Sequence, residues 1–210
     1  VGGDFYDYLP INENRFALVI ADASGKGMPA ALLISQIQAI LKSDVRYGSP
    51  IRQTMANLNK HLKRYSSAQN FATLFYGVID LGKGTCEFAN AGHNYPFLIK
   101  NNGNMKLLKT TGPALGIMQN GDHETETIRV SSGDCLLLYT DGITETMTTE
   151  STEYGEQRLQ QILQRNRDAG AQKILDAIID DLSAFDADDA LQDDRTIVVL
   201  KVFGNTGDTD

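Results

Sequence analysis

Two hydrophobic periods alternate along this chain. A period of two, or a short continuous apolar run, marks strands, and a period of 3.6 marks helices. Residues 4–8 alternate aromatic and acidic side chains, and residues 15–21 run into a nearly continuous apolar stretch. With Asn12-Glu13-Asn14 between them, these two segments predict a hairpin. Its register would bring Asp4 and Asp22 close together at one end of a sheet. From residue 29 to about 46 the period changes. Leu33, Ile37, Ile40 and Leu41, with Ala30 and Ala31 in the first turn, form one helical face. Gly48-Ser49-Pro50 ends that helix, and Ile51, Met55, Leu58 and Leu62 continue the period in a second one to about residue 65.

The period of two then returns. Residues 71–81 and 85–91 predict a second hairpin around Gly82-Lys83-Gly84. Residues 97–100, 105–108 and 124–130 predict shorter strands, with Asn101-Asn102-Gly103-Asn104 as a turn. Residues 135–139 predict a buried strand that ends in Thr140-Asp141-Gly142. Two further helices follow at about 154–167 (Leu159, Ile162, Leu163) and about 171–185 (Ile174, Leu175, Ile178, Ile179, Leu182). After an acidic loop over 186–194, residues 196–203 predict a last buried strand, and 204–210 a disordered tail. Strands joined by hairpins, with helices in blocks, argue for an α+β sandwich rather than a doubly wound parallel sheet. No internal repeat or linker divides the chain, so residues 1–203 are expected to form a single domain.

Composition narrows the partners. The 210 residues are 41% hydrophobic and 22% charged, ordinary values for a globular domain, and the formal net charge is −8. That balance argues against nucleic acid or an anionic membrane surface as a partner, but not against cations. No apolar run is long enough to span a bilayer. Cys86 and Cys135 sit in strand-like runs without CxxC spacing, which suits buried thiols in a reducing cytoplasm. The start at Val1-Gly2-Gly3-Asp4, without methionine, is expected of a domain excised from a longer protein.

The candidate chemistry lies where strands meet aspartates. Asp22 follows an apolar run, Asp141 follows another, Asp193-Asp194 precede a third, and Asp4 opens the first. Carboxylates gathered at one sheet edge would repel one another unless a cation neutralised them. An all-oxygen donor set favours Mg²⁺ or Mn²⁺ over zinc or copper. Two such ions about 3.5–4 Å apart can activate water for attack on phosphorus. Gly25-Lys26-Gly27 lacks the Walker pattern, so a nucleotide phosphate loop is not indicated. Ser24 has no His/Asp partners of a nucleophilic triad in the sequence. His93 is open to two readings, a catalytic acid or a polar residue holding a turn.

Taken in order, these stretches form one series. It runs Gly2-Gly3-Asp4-Phe5-Tyr6-Asp7; Asp22-Ala23-Ser24-Gly25-Lys26-Gly27 with Pro29-Ala30-Ala31-Leu32; Ala91-Gly92-His93-Asn94; Gly112-Pro113-Ala114-Leu115-Gly116; Tyr139-Thr140-Asp141-Gly142-Ile143-Thr144-Glu145; and Asp193-Asp194-Arg195-Thr196. The series resembles the metal-dependent PPM (protein phosphatase 2C-like) serine/threonine phosphatases, and within them the bacterial SpoIIE/RsbU-type branch.

The resemblance implies a four-layer α-β-β-α sandwich of two antiparallel sheets flanked by helix pairs, and a centre of two Mn²⁺ or Mg²⁺ ions with a third as an option. By motif match, Asp22 would bridge the ions and the Ala23 carbonyl would bind one of them. Asp141 and Asp193 would bind the other, and Asp4 would bind or orient water on the ion held by Ala23. Asp194 competes with Asp193 for its role, since the motif match does not separate them. The resemblance also implies a substrate, a phosphorylated STAS-type anti-sigma-factor antagonist, and an upstream sensor or receiver module. Two features of the eukaryotic branch are missing. The Gly-His after its first metal aspartate is Ala23-Ser24 here, and its upstream phosphate-binding arginine has no counterpart. Leaving-group protonation is therefore expected from water rather than a side chain. The intact set Asp4, Asp22, Asp141 and Asp193 counts against the rival reading of a non-catalytic binding module.

Overall fold

A computed structural model describes residues 2–65, 70–148, 151–185 and 193–203. The chain divides into two compact units, Val1–Tyr95 with Lys109–Arg129, and Pro96–Leu108 with Val130–Asp210.

The first unit is a five-stranded sheet with two helices. The expected hairpin is β1 (Asp4–Asn12) and β2 (Arg15–Ala23). Its turn is tied by Asn14 N donating to Asn12 Oδ1 at 3.1 Å. The next hairpin is β3 (Ala72–Asp80) and β4 (Thr85–Ala91), and β7 (Glu126–Arg129) closes the sheet in the order β1-β2-β3-β4-β7, antiparallel throughout. Helices α1 (Met28–Tyr47) and α2 (Ile51–Tyr65) cover one face. Pro29 sits in the first turn of α1 and Gly48, at φ 69°, caps its end, as proline and glycine do at helix termini. Leu33, Ile37 and Leu41 of α1 and Ile51, Met55, Leu58 and Leu62 of α2 are buried, each worth about 1.5–3 kcal/mol of transfer free energy. They pack on Ala17, Val19, Ala21 and Ala23 of β2 and on Leu74, Tyr76 and Val78 of β3. Side chains alternate along a strand, so Leu18, Ile20 and Asp22 point to the opposite face.

The second unit is a four-stranded antiparallel sheet in the order β6-β5-β8-β9, built from β5 (Phe97–Ile99), β6 (Met105–Leu107), β8 (Cys135–Tyr139) and β9 (Ile197–Lys201). Phe97, Ile99, Cys135, Leu137 and Tyr139 pack against Leu159, Ile162 and Leu163 of α4 (Gly155–Arg165) and Ile174, Ile178 and Leu182 of α5 (Ala171–Phe185). Arg158 ties the two helices together. It donates from Nε to Asp181 Oδ2 at 2.6 Å and from Nη2 to Oδ1 at 3.0 Å, and its guanidinium lies 4.8 Å from the Phe185 ring centroid.

Several expectations need correction. Asp22 does not lie beyond the strand: β2 runs two residues further, because Asp22 and Ala23 both pair with β3. The last strand is half-buried rather than buried, since β9 is a sheet edge. Ile179 is 47% exposed, because α5 needs only one residue per turn, Ile174, Ile178 and Leu182, to cover its sheet. A four-residue helix, α3 (Asp141–Thr144), follows β8 where only a strand end was expected. The acidic loop over 186–192 and the tail over 204–210 lie outside the described residues.

Candidate metal-binding site

In the first unit, the β1–β2 register places Asp4 directly opposite Asp22. Residues directly opposite in an antiparallel pair project to the same face. Just before β1, Gly3 presses on the end of β2. Ala23 N donates to Gly3 O at 3.0 Å. A Cβ built on Gly3 would sit 2.7 Å from the Ala23 carbonyl oxygen and 3.0 Å from Asp22 Oδ1. These two oxygens therefore flank one small space, and only glycine leaves it open. Beyond Ala23 the chain turns through Gly25 and Gly27, both at positive φ, into α1.

Ser24 is occupied structurally. Its N donates to Phe71 O at 2.9 Å, and its hydroxyl accepts from Phe71 N at 2.9 Å. These two bonds strap the end of β2 to the start of β3. His93 is 2% exposed and lies 2.9 Å from Thr73 Oγ1 through Nδ1. It also sits in a turn closed by Asn90, whose Oδ1 accepts from His93 N at 2.8 Å and whose Nδ2 donates to His93 O at 3.2 Å. The turn-holding reading of His93 thus has its hydrogen bonds. The Gly112–Gly116 stretch crosses the ends of β3 and β4, where Leu115 exchanges backbone hydrogen bonds with Ala72 at 2.8 and 3.1 Å and Thr111 N donates to Asn90 O at 2.8 Å.

In the second unit, Asp141 is the first residue of α3, with its carbonyl accepting from Glu145 N at 2.8 Å. Thr140 holds the approach to β9: its N donates to Thr196 O at 3.1 Å, and its Oγ1 accepts from Thr196 N at 3.0 Å. Gly142 lies against the Asp194 backbone so closely that a Cβ there would fall 2.0 Å from Asp194 O. The Asp141-Gly142 and Asp193-Asp194 pairs are therefore backbone neighbours. Asp193 Oδ1 accepts from Asp194 N at 2.9 Å. Two acidic residues join this group that the sequence reading assigned no role. Partial desolvation first, then the charges of Asp141, Glu153 and Asp193, hold the Glu145 carboxyl above its ordinary range. Glu145 stands within the quoted motif, four residues after Asp141, and one helical turn brings it back beside that residue.

The sequence-predicted ligands thus fall into two sets, Asp4, Asp22 and Ala23 in the first unit and Asp141, Asp193 and Asp194 in the second. Among the described residues no three or more His, Cys, Asp or Glu side chains form a closed cluster. The donor chemistry within each set fits a hard divalent cation, being carboxylate and carbonyl oxygen throughout. The cradle that a Gly3 side chain would fill fits it as well. Both cysteines are buried free thiols. Burial first pushes Cys86 up to about 12, with Glu87 adding to it, and pushes Cys135 up to about 11. No helix among the described residues is long and apolar enough to cross a membrane.

Residues 12–203 match the family model described as stage II sporulation protein E (SpoIIE). Phosphoserine phosphatase RsbU of Bacillus subtilis is 32% identical over 202 residues, covering 96% of this chain and 59% of that protein. Protein IcfG of Synechocystis sp. is 31% identical over 228 residues, covering 95% of this chain and 36% of that protein. The chain therefore spans less than two thirds of either relative. Among solved structures, the SiaA-PP2C domain of Pseudomonas aeruginosa aligns with a TM-score of 0.85 at 19% identity, over 96% of this chain and 81% of that one. At that identity the likeness speaks for the fold, two antiparallel sheets with helices in an α+β arrangement.

Proposed function

Because the chain belongs to the SpoIIE family of PP2C-like phosphatase domains, we propose that it hydrolyses phosphoserine or phosphothreonine on a protein, with residues 1–203 acting as one catalytic domain. The substrate proposed is a phosphorylated STAS-type anti-sigma-factor antagonist, met in the cytoplasm, with an upstream sensor or receiver module governing activity. The observation that carries the reading is the pair of oxygens, Ala23 O and Asp22 Oδ1, converging beside Gly3.

Two Mn²⁺ or Mg²⁺ ions bound there would supply water activation and would offset charge on the phosphoryl oxygens. Asp22 would bridge them, with the Ala23 carbonyl and Asp4 serving one and Asp141 and Asp193 the other. Asp194 remains the alternative to Asp193. The chain's own side chains leave the departing seryl oxygen to be protonated by water. The Ser24 hydroxyl accepts from the Phe71 amide, and His93 is buried against Thr73. No covalent phosphoenzyme is needed.

The test is phosphate release from a phosphorylated STAS protein and from a nucleotide panel, each with Mn²⁺ and with EDTA. Manganese-dependent turnover on the phosphoprotein alone supports the reading. Turnover on nucleotides instead would make it a small-phosphoester hydrolase. No turnover on anything would make it a phosphoprotein-binding module.

A further inference from the structure

Three buried threonines surround Asp141 in the second unit: Thr140 is 0%, Thr144 7% and Thr146 5% exposed. Buried hydroxyls need partners, and each of these finds one on the main chain. Thr140 Oγ1 accepts from Thr196 N, while the other two close α3. A helix of one turn is not stable by itself, and its last carbonyls have no partner within it. Asp141 O accepts from Glu145 N at 2.8 Å and from Thr144 Oγ1 at 3.3 Å. Gly142 O accepts from Thr146 Oγ1 at 2.8 Å. In a continuing helix that carbonyl would take the amide four residues on. Here α3 ends at Thr144, and the side chain of Thr146 supplies the donor. The donor is itself anchored. Tyr154 N donates to Thr146 O at 2.8 Å, and the Tyr154 hydroxyl donates to Asp181 Oδ2 of α5 at 2.9 Å. The acceptor is confined as well, because Gly142 lies against the Asp194 main chain.

We infer that Thr146 is a positioning residue for Asp141: its hydroxyl fixes the Gly142 carbonyl, and with it the turn that sets Asp141 beside Asp193 and Asp194. The inference rests on the proposed metal role of Asp141. A threonine hydroxyl has one proton to donate, and this one goes to Gly142 O. Removing it leaves a buried carbonyl without that donor, a costly state that the turn relieves by shifting. Gly142 directly follows Asp141 in the same single turn, so a shift of its peptide carries the Asp141 backbone with it. Residues behind a metal ligand that fix its orientation typically change metal affinity by about 10–100-fold when removed.

The experiment is Mn²⁺ titration by calorimetry on the 210-residue chain, with the thermal unfolding of each metal-free variant recorded beside it. Thr146→Val removes the hydroxyl at nearly constant shape and should weaken Mn²⁺ binding by about 10-fold or more. Thr146→Ser keeps the hydroxyl and should bind Mn²⁺ as wild type does. In an Asp141→Asn background, Thr146→Val should weaken binding no further, because it acts through Asp141. A lowered unfolding temperature with wild-type Mn²⁺ affinity in Thr146→Val would make the residue merely structural and overturn the inference. Equal weakening in Thr146→Ser, or an undiminished loss in the Asp141→Asn background, would overturn it too. If Thr146→Val does not fold, Thr146→Ser against Thr146→Ala, which differ by the hydroxyl alone, decides in its place. Asp141→Asn also separates this inference from the reading beneath it. Loss of Mn²⁺ there with none in Thr146→Val overturns the role of Thr146 only, whereas wild-type affinity in Asp141→Asn overturns the metal role of Asp141 and the inference with it.

Discussion

Gly142→Ala isolates the contact that sets Asp141 beside Asp193 and Asp194. A methyl group at position 142 would lie 2.0 Å from Asp194 O and 3.0 Å from Asp194 C, both backbone atoms. Ordinary carbon–oxygen contacts are about 3.3–3.6 Å, so one backbone must retreat by about 1.3 Å. Gly142 lies within α3, a conformation alanine adopts readily, so the cost comes from the clash and not from backbone strain. Overpacking of this kind costs about 1–3 kcal/mol in stability, which leaves most domains folded. Its functional cost is larger. A displacement of about 1 Å among catalytic groups lowers turnover on the order of 100-fold, about 2.7 kcal/mol in barrier. The assay is phosphate release at saturating Mn²⁺, with thermal unfolding of the metal-free protein measured in parallel. Gly170→Ala, with nothing within 4 Å of the added carbon, is the matched control and should behave as wild type. Gly142→Ala with kcat/KM within about threefold of wild type would refute the claim that this backbone contact sets the ligand geometry.

Asp22→Asn should abolish Mn²⁺-dependent turnover while the protein stays folded; wild-type turnover with manganese would remove Asp22 from the bridging role. The buried thiols should not react with an aromatic disulfide reagent in the native protein at pH 8, and should react fully once it is unfolded. They also predict an alkaline limit. Burial raises both thiols from their ordinary value of 9.0, Cys86 to about 12 and Cys135 to about 11. The unfolded chain therefore loses these protons from about pH 9 upward while the folded chain keeps them, so their contribution is complete below pH 9 and lost as pH rises toward 11 and 12. Denaturant midpoints measured across that window should fall, and a Cys86→Ala, Cys135→Ala chain should show a shallower fall.

The local periods of the sequence carried the helices and the hairpins. Ile51, Met55, Leu58 and Leu62 lie one turn apart and are all buried, and the β1–β2 hairpin puts Asp4 opposite Asp22, because a short turn leaves little choice of register. What escaped the sequence lies across longer separations or in elements too short to show a period. Helix α3 spans four residues, a single turn, and shows no face. The strap from Ser24 to Phe71 and the contact from Thr73 to His93 join residues 47 and 20 positions apart. Nothing local to Ser24 or His93 marks such a partner. Ile179 failed for the opposite reason: hydrophobicity marks what can be buried, and geometry on α5 decides which of those residues is.

One device recurs in both units and explains why these motifs were legible. Gly3 precedes Asp4, and Gly142 follows Asp141. In each case the glycine has no room for a side chain because the backbone of the other aspartate motif of its own unit occupies that space: Ala23 O at 2.7 Å in one, Asp194 O at 2.0 Å in the other. The spacing of each aspartate pair is thus set by contact between main chains, which cannot change rotamer as side chains can. A carboxylate set proposed to hold cations would carry mutual repulsion without them. Anchoring the backbones beneath the carboxylates keeps that repulsion from spreading the sites apart. The requirement for glycine beside aspartate, twice, follows from this physical demand, and it is why Gly3-Asp4 and Asp141-Gly142 can be recognised as short motifs at all.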